Sequence, residues 1–257
     1  MLTLDPAGLG LVELGLFCAA TATATLSGTL GMGGGLLLMG VLATLLPPAE
    51  ALALHGVAQL ASNGSRAAGL REHVELRIMR PYFAGALTAA GLFSLLAVAP
   101  SPALLFFTLG LLPWISGLLP ERLAEPITIA ADRPRAAGLC GFAVGTLQLI
   151  AGVSGSLLDL FFLNSPVDRR GIVATKAATQ TLAHGLKLLV MVPLLPAATA
   201  LSPLRIGALV LASWLGSRIG RRLLESLSER DFRRAGDRLL KGVGVLYLLR
   251  SLSLALA

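Results

Sequence analysis

The feature of the sequence that most constrains the fold is a set of long stretches without any charged residue. Residues 36–46, 87–120 and 138–158 contain no Asp, Glu, Lys or Arg. A helix needs about 20 apolar residues to cross a hydrocarbon core about 30 Å thick. Only 14% of the 257 residues are charged, whereas soluble domains carry about 25%. These stretches predict an all-α membrane protein and argue against a soluble fold.

The net charge of +7 reflects membrane topology in a chain of this composition. In a soluble protein it would suggest a nucleic-acid partner, but here the Lys and Arg residues lie in connections that flank apolar segments. Basic connections of a membrane protein remain on the cytoplasmic side. We therefore expect a lipid bilayer as the environment, namely a bacterial inner membrane, and no nucleic acid. A homodimer is left open.

The chain contains an internal repeat at an offset of 121 residues. The glycine-rich segment 31–35 (Gly-Met-Gly-Gly-Gly) matches segment 152–156 (Gly-Val-Ser-Gly-Ser). The same offset aligns polar positions downstream without a gap. These aligned pairs are Ala53 with Ala174, His55 with Lys176, Gln59 with Gln180, Asn63 with His184, Gly64 with Gly185 and Arg66 with Lys187.

Each repeat is expected to contain five apolar elements. The first repeat would cover residues 1–119 and the second 136–257, with a cytoplasmic linker at 120–135 between them. The second element of each repeat is too short to span a bilayer and predicts a re-entrant half-helix. We therefore expect about eight transmembrane helices and two half-helices. The predicted elements are 9–30, 36–46, 50–68, 81–99 and 102–119, then 136–151, 156–164, 171–194, 204–220 and 239–256.

The distribution of Lys and Arg predicts that the two repeats have opposite topology. Connection 66–80 contains four basic residues and its counterpart 195–203 none. Connection 96–103 contains none and its counterpart 218–241 eight. If basic connections stay cytoplasmic, equivalent connections lie on opposite sides of the membrane. Both chain termini are then expected outside the cytoplasm.

The two glycine-rich segments predict helix breaks that could receive an anion. Glycine allows a sharp turn and the close approach of a ligand. The N-terminus of the half-helix that follows has unpaired N–H groups and a partial positive charge. Inverted repeats would bring two such termini together near the midplane. The candidate ligands in these segments are Gly31, Gly33, Gly34, Gly35, Gly152, Ser154, Gly155 and Ser156.

The third element of each repeat carries polar residues four positions apart, which places them on one face of a helix. A polar stripe inside an apolar helix is expected to face protein or a wet cavity, and ionisable groups at that depth are functional candidates. Imidazoles titrate near neutral pH, so His55, His184 and the nearby Asp159 are candidates for proton coupling. No metal ligand set is complete. The substrate-binding candidates on these stripes are His55, Gln59, Asn63, Lys176, Gln180 and His184, and Lys187 continues the second stripe. Whether Lys176 and Lys187 line the cavity or extend to the membrane surface stays open, and Asp159 could pair with either lysine.

These motifs resemble those of the TauE/SafE family of sulfite and organosulfonate exporters. The resemblance is carried by segment 31–35, by segment 47–53 (Pro-Pro-Ala-Glu-Ala-Leu-Ala), by Ala174-Thr175 and by segment 227–234 before the last apolar element. It covers nearly the whole chain. The second turn has serines where the family usually keeps glycine. The resemblance implies export of sulfite or a small organosulfonate, whereas the residues alone indicate a small anion.

Other functions remain open on the sequence alone. Ser154 near His184 could form the dyad of an intramembrane protease, although the glycine repeat explains the same residues more simply. A membrane scaffold or assembly protein, and an anion channel without alternating access, are further alternatives. We expect a transporter that is not an enzyme and that uses no cofactor, moving one group of helices against another by an elevator or rocking motion.

Overall fold

The computed structural model describes residues 6–30, 33–96, 100–118, 129, 133–162, 165–195, 202–224 and 229–256. These residues form ten α-helices and no strand. Short 3₁₀ turns at Arg71–His73 and Val192–Leu194 follow two of these helices. The helices are α1 (Pro6–Leu30), α2 (Gly34–Leu45), α3 (Pro48–Gly69), α4 (Leu76–Leu96), α5 (Pro102–Leu118), α6 (Pro134–Ala151), α7 (Gly155–Phe162), α8 (Arg169–Met191), α9 (Pro203–Leu224) and α10 (Glu229–Ala255).

The observed helices follow the order of the predicted apolar elements, with two starts corrected. α4 begins at Leu76 and not at residue 81, so that Pro81 lies inside the helix. α10 begins at Glu229 and not at residue 239. The prediction followed hydrophobicity, but arginine is a good helix former, and much of the basic connection 218–241 is therefore helical. Most of the predicted linker 120–135 lies outside the described residues.

Both glycine-rich segments interrupt the helical path. α1 ends at Leu30, and Gly33 has a φ of 86° just before α2 begins. α6 ends at Ala151, and Gly152 has a φ of 73°, in the left-handed region that favours glycine. The helices that follow have 12 and 8 residues. At 1.5 Å per residue they are about 18 and 12 Å long, too short to cross a bilayer.

The helices pack in pairs that relate the two halves of the chain. α1 packs along α9, and its counterpart α6 packs along α4. α3 packs on its own counterpart α8, and α5 packs on α10. If each helix is replaced by its counterpart in the other half, the pair α1–α9 becomes α6–α4, and the pairs α3–α8 and α5–α10 remain the same. The packing is therefore what a two-fold relation between the halves would produce.

Contacts along α3, α8 and their neighbours define the relative directions of these helices. Arg205, near the start of α9, donates from Nη1 to Oε1 of Glu50 at 3.0 Å, near the start of α3. Further along both helices, the hydroxyls of Ser62 and Ser217 are 2.8 Å apart, so α3 and α9 run in the same direction. On the other side, the Tyr82 hydroxyl of α4 donates to the carbonyl of Thr179 on α8 at 3.4 Å.

Equivalent helices of the two halves run in opposite directions. Just before α4, the Glu75 N–H donates to the Thr175 hydroxyl at 3.0 Å, so α4 and α8 are parallel. α3 and α8 are antiparallel, because Gly56 lies against Leu188 whereas the later Gly64 lies against the earlier Thr181. Because α3 is parallel to α9 and α4 is parallel to α8, α4 and α9 are antiparallel as well. This is the arrangement that inverted repeats require.

Many large apolar side chains of the described residues are exposed, and a set of polar side chains is buried. Leu95, Leu189 and Leu246 are 84%, 73% and 63% exposed, while several polar side chains of α3 and α8 are buried. Such a distribution suits a lipid environment. By length and apolarity one described segment, Gly10–Ser27 of α1, meets the criterion for a membrane span, and two further apolar helices are shorter. The number of eight spans stays a prediction.

Candidate functional site

The polar stripes of α3 and α8 face a common cavity. His55, Gln59 and Asn63 are spaced four residues apart on α3, and Lys176, Gln180 and His184 have the same spacing on α8. Because α3 and α8 pack on each other, both stripes point into the space between them. All six of these predicted residues line the cavity.

The two helix breaks complete the walls of this cavity. Its volume is about 90 Å³, room for about three water molecules or for a small anion. α7 contributes Asp159, the last turn of α3 contributes Arg66, and α1 contributes Ser27. The residues that line the cavity from the two breaks and the half-helix starts are Gly33, Gly35, Leu36, Val153 and Gly155.

Four of the predicted turn ligands lie beside the cavity instead of lining it. Gly34 packs against α1, where a Cβ atom would lie 2.0 Å from the Thr23 carbonyl oxygen. Ser154 is fully buried and accepts a hydrogen bond from Gln180. Gly152 and Ser156 are likewise not part of the lining, and the predicted ligand Gly31 lies outside the described residues.

A buried lysine connects the two helix breaks. Lys187 is 0% exposed, and its Nζ donates to the Gly152 carbonyl oxygen at 3.2 Å. The same Nζ lies 3.0 Å from Nδ1 of His55. On its other edge, His55 Nε2 lies 2.9 Å from the carbonyl oxygen of Gly35, in the first turn of α2. Lys187 and His55 therefore tie the break of the second half to the half-helix of the first.

Positive charge exceeds negative charge around the site. Lys176 forms an ion pair with Asp159 across the cavity wall. Arg66 also lines the cavity, and Lys187 lies behind His55. Within the described part of the chain, no carboxylate forms an ion pair with Lys187. Among the described residues that line the cavity, two cationic side chains, Arg66 and Lys176, stand against one carboxylate, Asp159, so the lining favours a negatively charged ligand.

An amide network supports the cavity from the side of α6. Gln148 is fully buried, and its Nε2 donates to Oε1 of Gln180 at 2.9 Å. The same Nε2 lies 3.4 Å from Nε2 of His184. Gln180 in turn donates to the Ser154 hydroxyl at 3.3 Å. Oε1 of Gln148 and Nδ1 of His184 are buried without a partner among the described residues.

The cavity lies towards the end of the bundle that carries the basic connections. Arg66 is in the last turn of α3, and Lys176 is in the second turn of α8, close after Arg169 and Arg170. The 11 residues from Lys176 to Lys187 (187 − 176) span about 16 Å of helix at 1.5 Å per residue. Lys187 therefore lies deep in the bundle, behind the cavity-lining His55.

The two cavity histidines do not complete a metal site. Their ring centroids are 5.5 Å apart and the rings are tilted by 58°. In the part of the chain that the structure describes, no group of three or more His, Cys, Asp or Glu residues could hold a metal ion. The donors around the cavity are guanidinium, ammonium, amide and imidazole groups, which suit an oxyanion.

Three site residues were not among the sequence candidates. Arg66 was counted as a residue of a connection, Lys187 was placed on the second polar stripe but not among the binding residues, and Gln148 was not considered. The charge of Lys187 at membrane depth was the sequence signal, and its position relative to the cavity was what the sequence left open. Gln148 is the one amide in the uncharged stretch 138–158, which also contains Thr146, Ser154 and Ser156, and this is a weaker signal.

Comparison with known proteins identifies the family. No curated protein and no solved structure matches the chain. The sequence model of the family described as Sulfite exporter TauE/SafE matches residues 16–246, which is nearly the whole chain and includes both helix breaks and both polar stripes. Proteins of this family are integral membrane transporters. The chain belongs to the TauE/SafE family of sulfite exporters.

Proposed function

We propose that this protein is a secondary transporter that exports a small oxyanion, sulfite or a small organosulfonate, across a bacterial inner membrane. The anion binds in the cavity between the two glycine-rich helix breaks, close to the midplane. Family membership supports the transport of sulfite or a related compound. The proposal adds the binding site, which is the cavity lined by His55, Gln59, Asn63, Arg66, Lys176, Gln180 and His184.

The observation that carries this proposal is the fully buried lysine behind His55, which we propose to be protonated. Lys187 has two hydrogen-bond acceptors and no carboxylate partner among the described residues. A cation in that position attracts an anion into the cavity, where Arg66 adds a second positive charge. A metal cation would meet repulsion in the same place. A neutral solute would leave the positive charge uncompensated.

We propose two repeats of inverted topology as the basis of alternating access. The opposed directions of α3 and α8 and of α4 and α9 support this arrangement. A membrane-impermeant cysteine reagent tests it on single-cysteine variants in residues 72–78 and 228–236. We expect labelling of both segments from the cytoplasmic face only. Labelling from opposite faces would contradict the inversion.

The repeat also indicates how the cavity would change sides. The offset of 121 residues aligns Arg66 with Lys187, and His55 with Lys176. In the structure Arg66 and Lys176 line the cavity, whereas their counterparts Lys187 and His55 are bonded to each other. Exchanging the roles of the halves would separate Lys187 from His55 and open a cavity towards the other side. The structure then represents the state that is open towards the basic connections.

Proton coupling through the histidines follows from the same contact. Protonation of His55 would place an imidazolium against the Lys187 ammonium across 3.0 Å, and the repulsion would separate them. Sulfite transport into proteoliposomes should then respond to a pH gradient in the wild type. Replacing both His55 and His184 by Gln should remove this response. A response that survives the double substitution would exclude coupling through the histidines.

Direct binding tests the proposed function itself. Purified protein would be titrated with sulfite, sulfate, thiosulfate and short alkylsulfonates, and binding followed by calorimetry. We expect saturable binding of sulfite or a sulfonate that is lost in Arg66→Gln and kept in Thr181→Val, a change on α8 outside the cavity lining. Loss of binding in both variants would show a general loss of structure. No binding of any of these anions to the wild type would refute the proposal.

A further inference from the structure

We propose that the two cavity histidines are neutral and hold opposite tautomers, and that Gln148 is the positioning residue that makes His184 present its Nδ1–H to the bound anion. The part concerning the anion rests on the proposed function. The tautomers themselves rest only on hydrogen-bond geometry.

The tautomer of His55 follows from its two neighbours. The Lys187 ammonium is a donor without acceptor capacity, so Nδ1 of His55, 3.0 Å away, must be the acceptor. The Gly35 carbonyl oxygen is an acceptor only, so Nε2, at 2.9 Å, must carry the proton. His55 is therefore the Nε2–H tautomer. Both of its ring nitrogens are engaged within the protein, which leaves it no free donor for a substrate.

The tautomer of His184 follows from the direction of the amide network. Nε2 of Gln148 donates to Oε1 of Gln180 and uses its second hydrogen towards Nε2 of His184, at 3.4 Å. Gln180 donates onward to the Ser154 hydroxyl, and in this orientation its Oε1 accepts from Gln148. Nε2 of His184 is then an acceptor. In a neutral imidazole the proton must therefore be on Nδ1.

The consequence is a buried donor without a partner beside the cavity. His184 is 2% exposed and lines the cavity, and its Nδ1 has no hydrogen-bond partner among the described residues. A buried N–H that lacks an acceptor is costly, and an oxyanion that supplies one removes that cost. His184 thus differs in role from His55: His184 donates to the anion, and His55 holds Lys187 in place.

Nitrogen NMR measures these tautomers directly. The chain contains three histidines, so a ¹⁵N-histidine-labelled sample of the full-length protein in lipid nanodiscs gives few signals. His184→Gln and His73→Gln assign them, because His73 lies in the 3₁₀ turn after α3. We expect His55 to carry its proton on Nε2 and His184 on Nδ1. A proton on Nε2 of His184 in the wild type would overturn the inference.

Substitution of Gln148 tests its positioning role. An ionised carboxylate only accepts hydrogen bonds, so Gln148→Glu should move the His184 proton to Nε2, whereas Thr181→Val should not. Sulfite affinity should fall at least tenfold in Gln148→Glu, because a hydrogen bond to a charged ligand is lost. Gln148→Leu removes the donor without adding charge and should also weaken sulfite binding. A merely structural role would leave the tautomer of His184 unchanged, and that result would overturn the assignment of Gln148.

Failure of this inference is separable from failure of the proposed function. If sulfite binds to the wild type but leaves the His184 Nδ1 signal unshifted, the anion contact is wrong and the transporter proposal stands. If no anion binds to the wild type, the proposed function fails, and with it the role of His184 as a ligand. The wild-type spectrum still decides the two tautomers in either case.

Discussion

Replacement of Lys187 by methionine separates the contribution of its charge from that of its packing. The lysine side chain is 0% exposed, and Leu188 and Gly56 pack beside it. Methionine has a similar length and adapts to irregular packing, so Lys187→Met removes the ammonium group while largely filling its space. The substitution should weaken anion binding strongly and change stability little.

The expected loss of affinity follows from Coulomb's law. His55 lies between Lys187 and the cavity, and the distance from Lys187 Nζ to His55 Nδ1 is 3.0 Å. An anion in contact with the far edge of the imidazole would be roughly 7 Å from the ammonium, where an effective dielectric constant of about 20 gives an attraction of about 2.4 kcal/mol. A loss of that size corresponds to about fiftyfold weaker sulfite binding.

The effects on stability largely cancel. Removing a buried charge that has no counter-charge relieves a desolvation penalty on the order of several kcal/mol. The carbonyl oxygen of Gly152 and Nδ1 of His55 each lose a donor, at a cost of about 1–3 kcal/mol per buried group. These two contributions have opposite signs and similar size, so the free energy of unfolding should change by less than either one alone, and the melting temperature by several degrees at most.

Calorimetric titration with sulfite measures the predicted loss of affinity, and thermal unfolding of the same preparation measures the predicted change in stability. Lys241→Met is the matched control, since it removes one positive charge on α10, where Nζ lies 5.8 Å from the centroid of the Trp114 ring. Its sulfite affinity should stay within about twofold of the wild type, as expected for a charge outside the site. Wild-type affinity in Lys187→Met would refute the role assigned to the buried charge.

Three further predictions concern the cavity wall, the second helix break and the contact between α3 and α9. Asp159→Asn removes the carboxylate nearest the cavity and should tighten sulfite binding several-fold in calorimetry. Gly152→Ala should lower the melting temperature, because φ is +73° and a Cβ would lie 2.7 Å from Met39 Sδ, whereas Gly185→Ala, with nothing within 4 Å, should not lower it. Ser62→Ala and Ser217→Ala should each cost about 1 kcal/mol of stability, and the double variant less than their sum, because they remove one shared hydrogen bond.

The sequence predicted much of the lining of the cavity because the signals lie within single helices. The spacing of His55, Gln59 and Asn63 depends only on the helical period, and their common face could be read directly. The glycine run at 31–35 broke the helix as expected, with Gly33 at a positive φ. These features depend on the residues of one chain segment and not on the helices that pack against it.

The residues that sequence reasoning missed act across helices. Arg66 was interpreted as a basic residue of a connection, yet it lines the cavity from the last turn of α3. The start of α10 was placed too late, because hydrophobicity does not detect a helix of arginines. The pairing of Asp159 with Lys176, one of two options left open, was decided by the position of α7 beside α8.

By itself the sequence determined the membrane class, the repeat, the helix breaks and the polar faces, because hydrophobicity, glycine content and periodicity are local properties of the chain. Only the tertiary structure decided that Lys187 bonds His55, 132 residues away, and that Gln148 reaches the second polar stripe. Such contacts depend on how deeply each helix sits and how far it is rotated against its partner. That depth and rotation follow from the packing of whole surfaces, which no spacing along one helix contains.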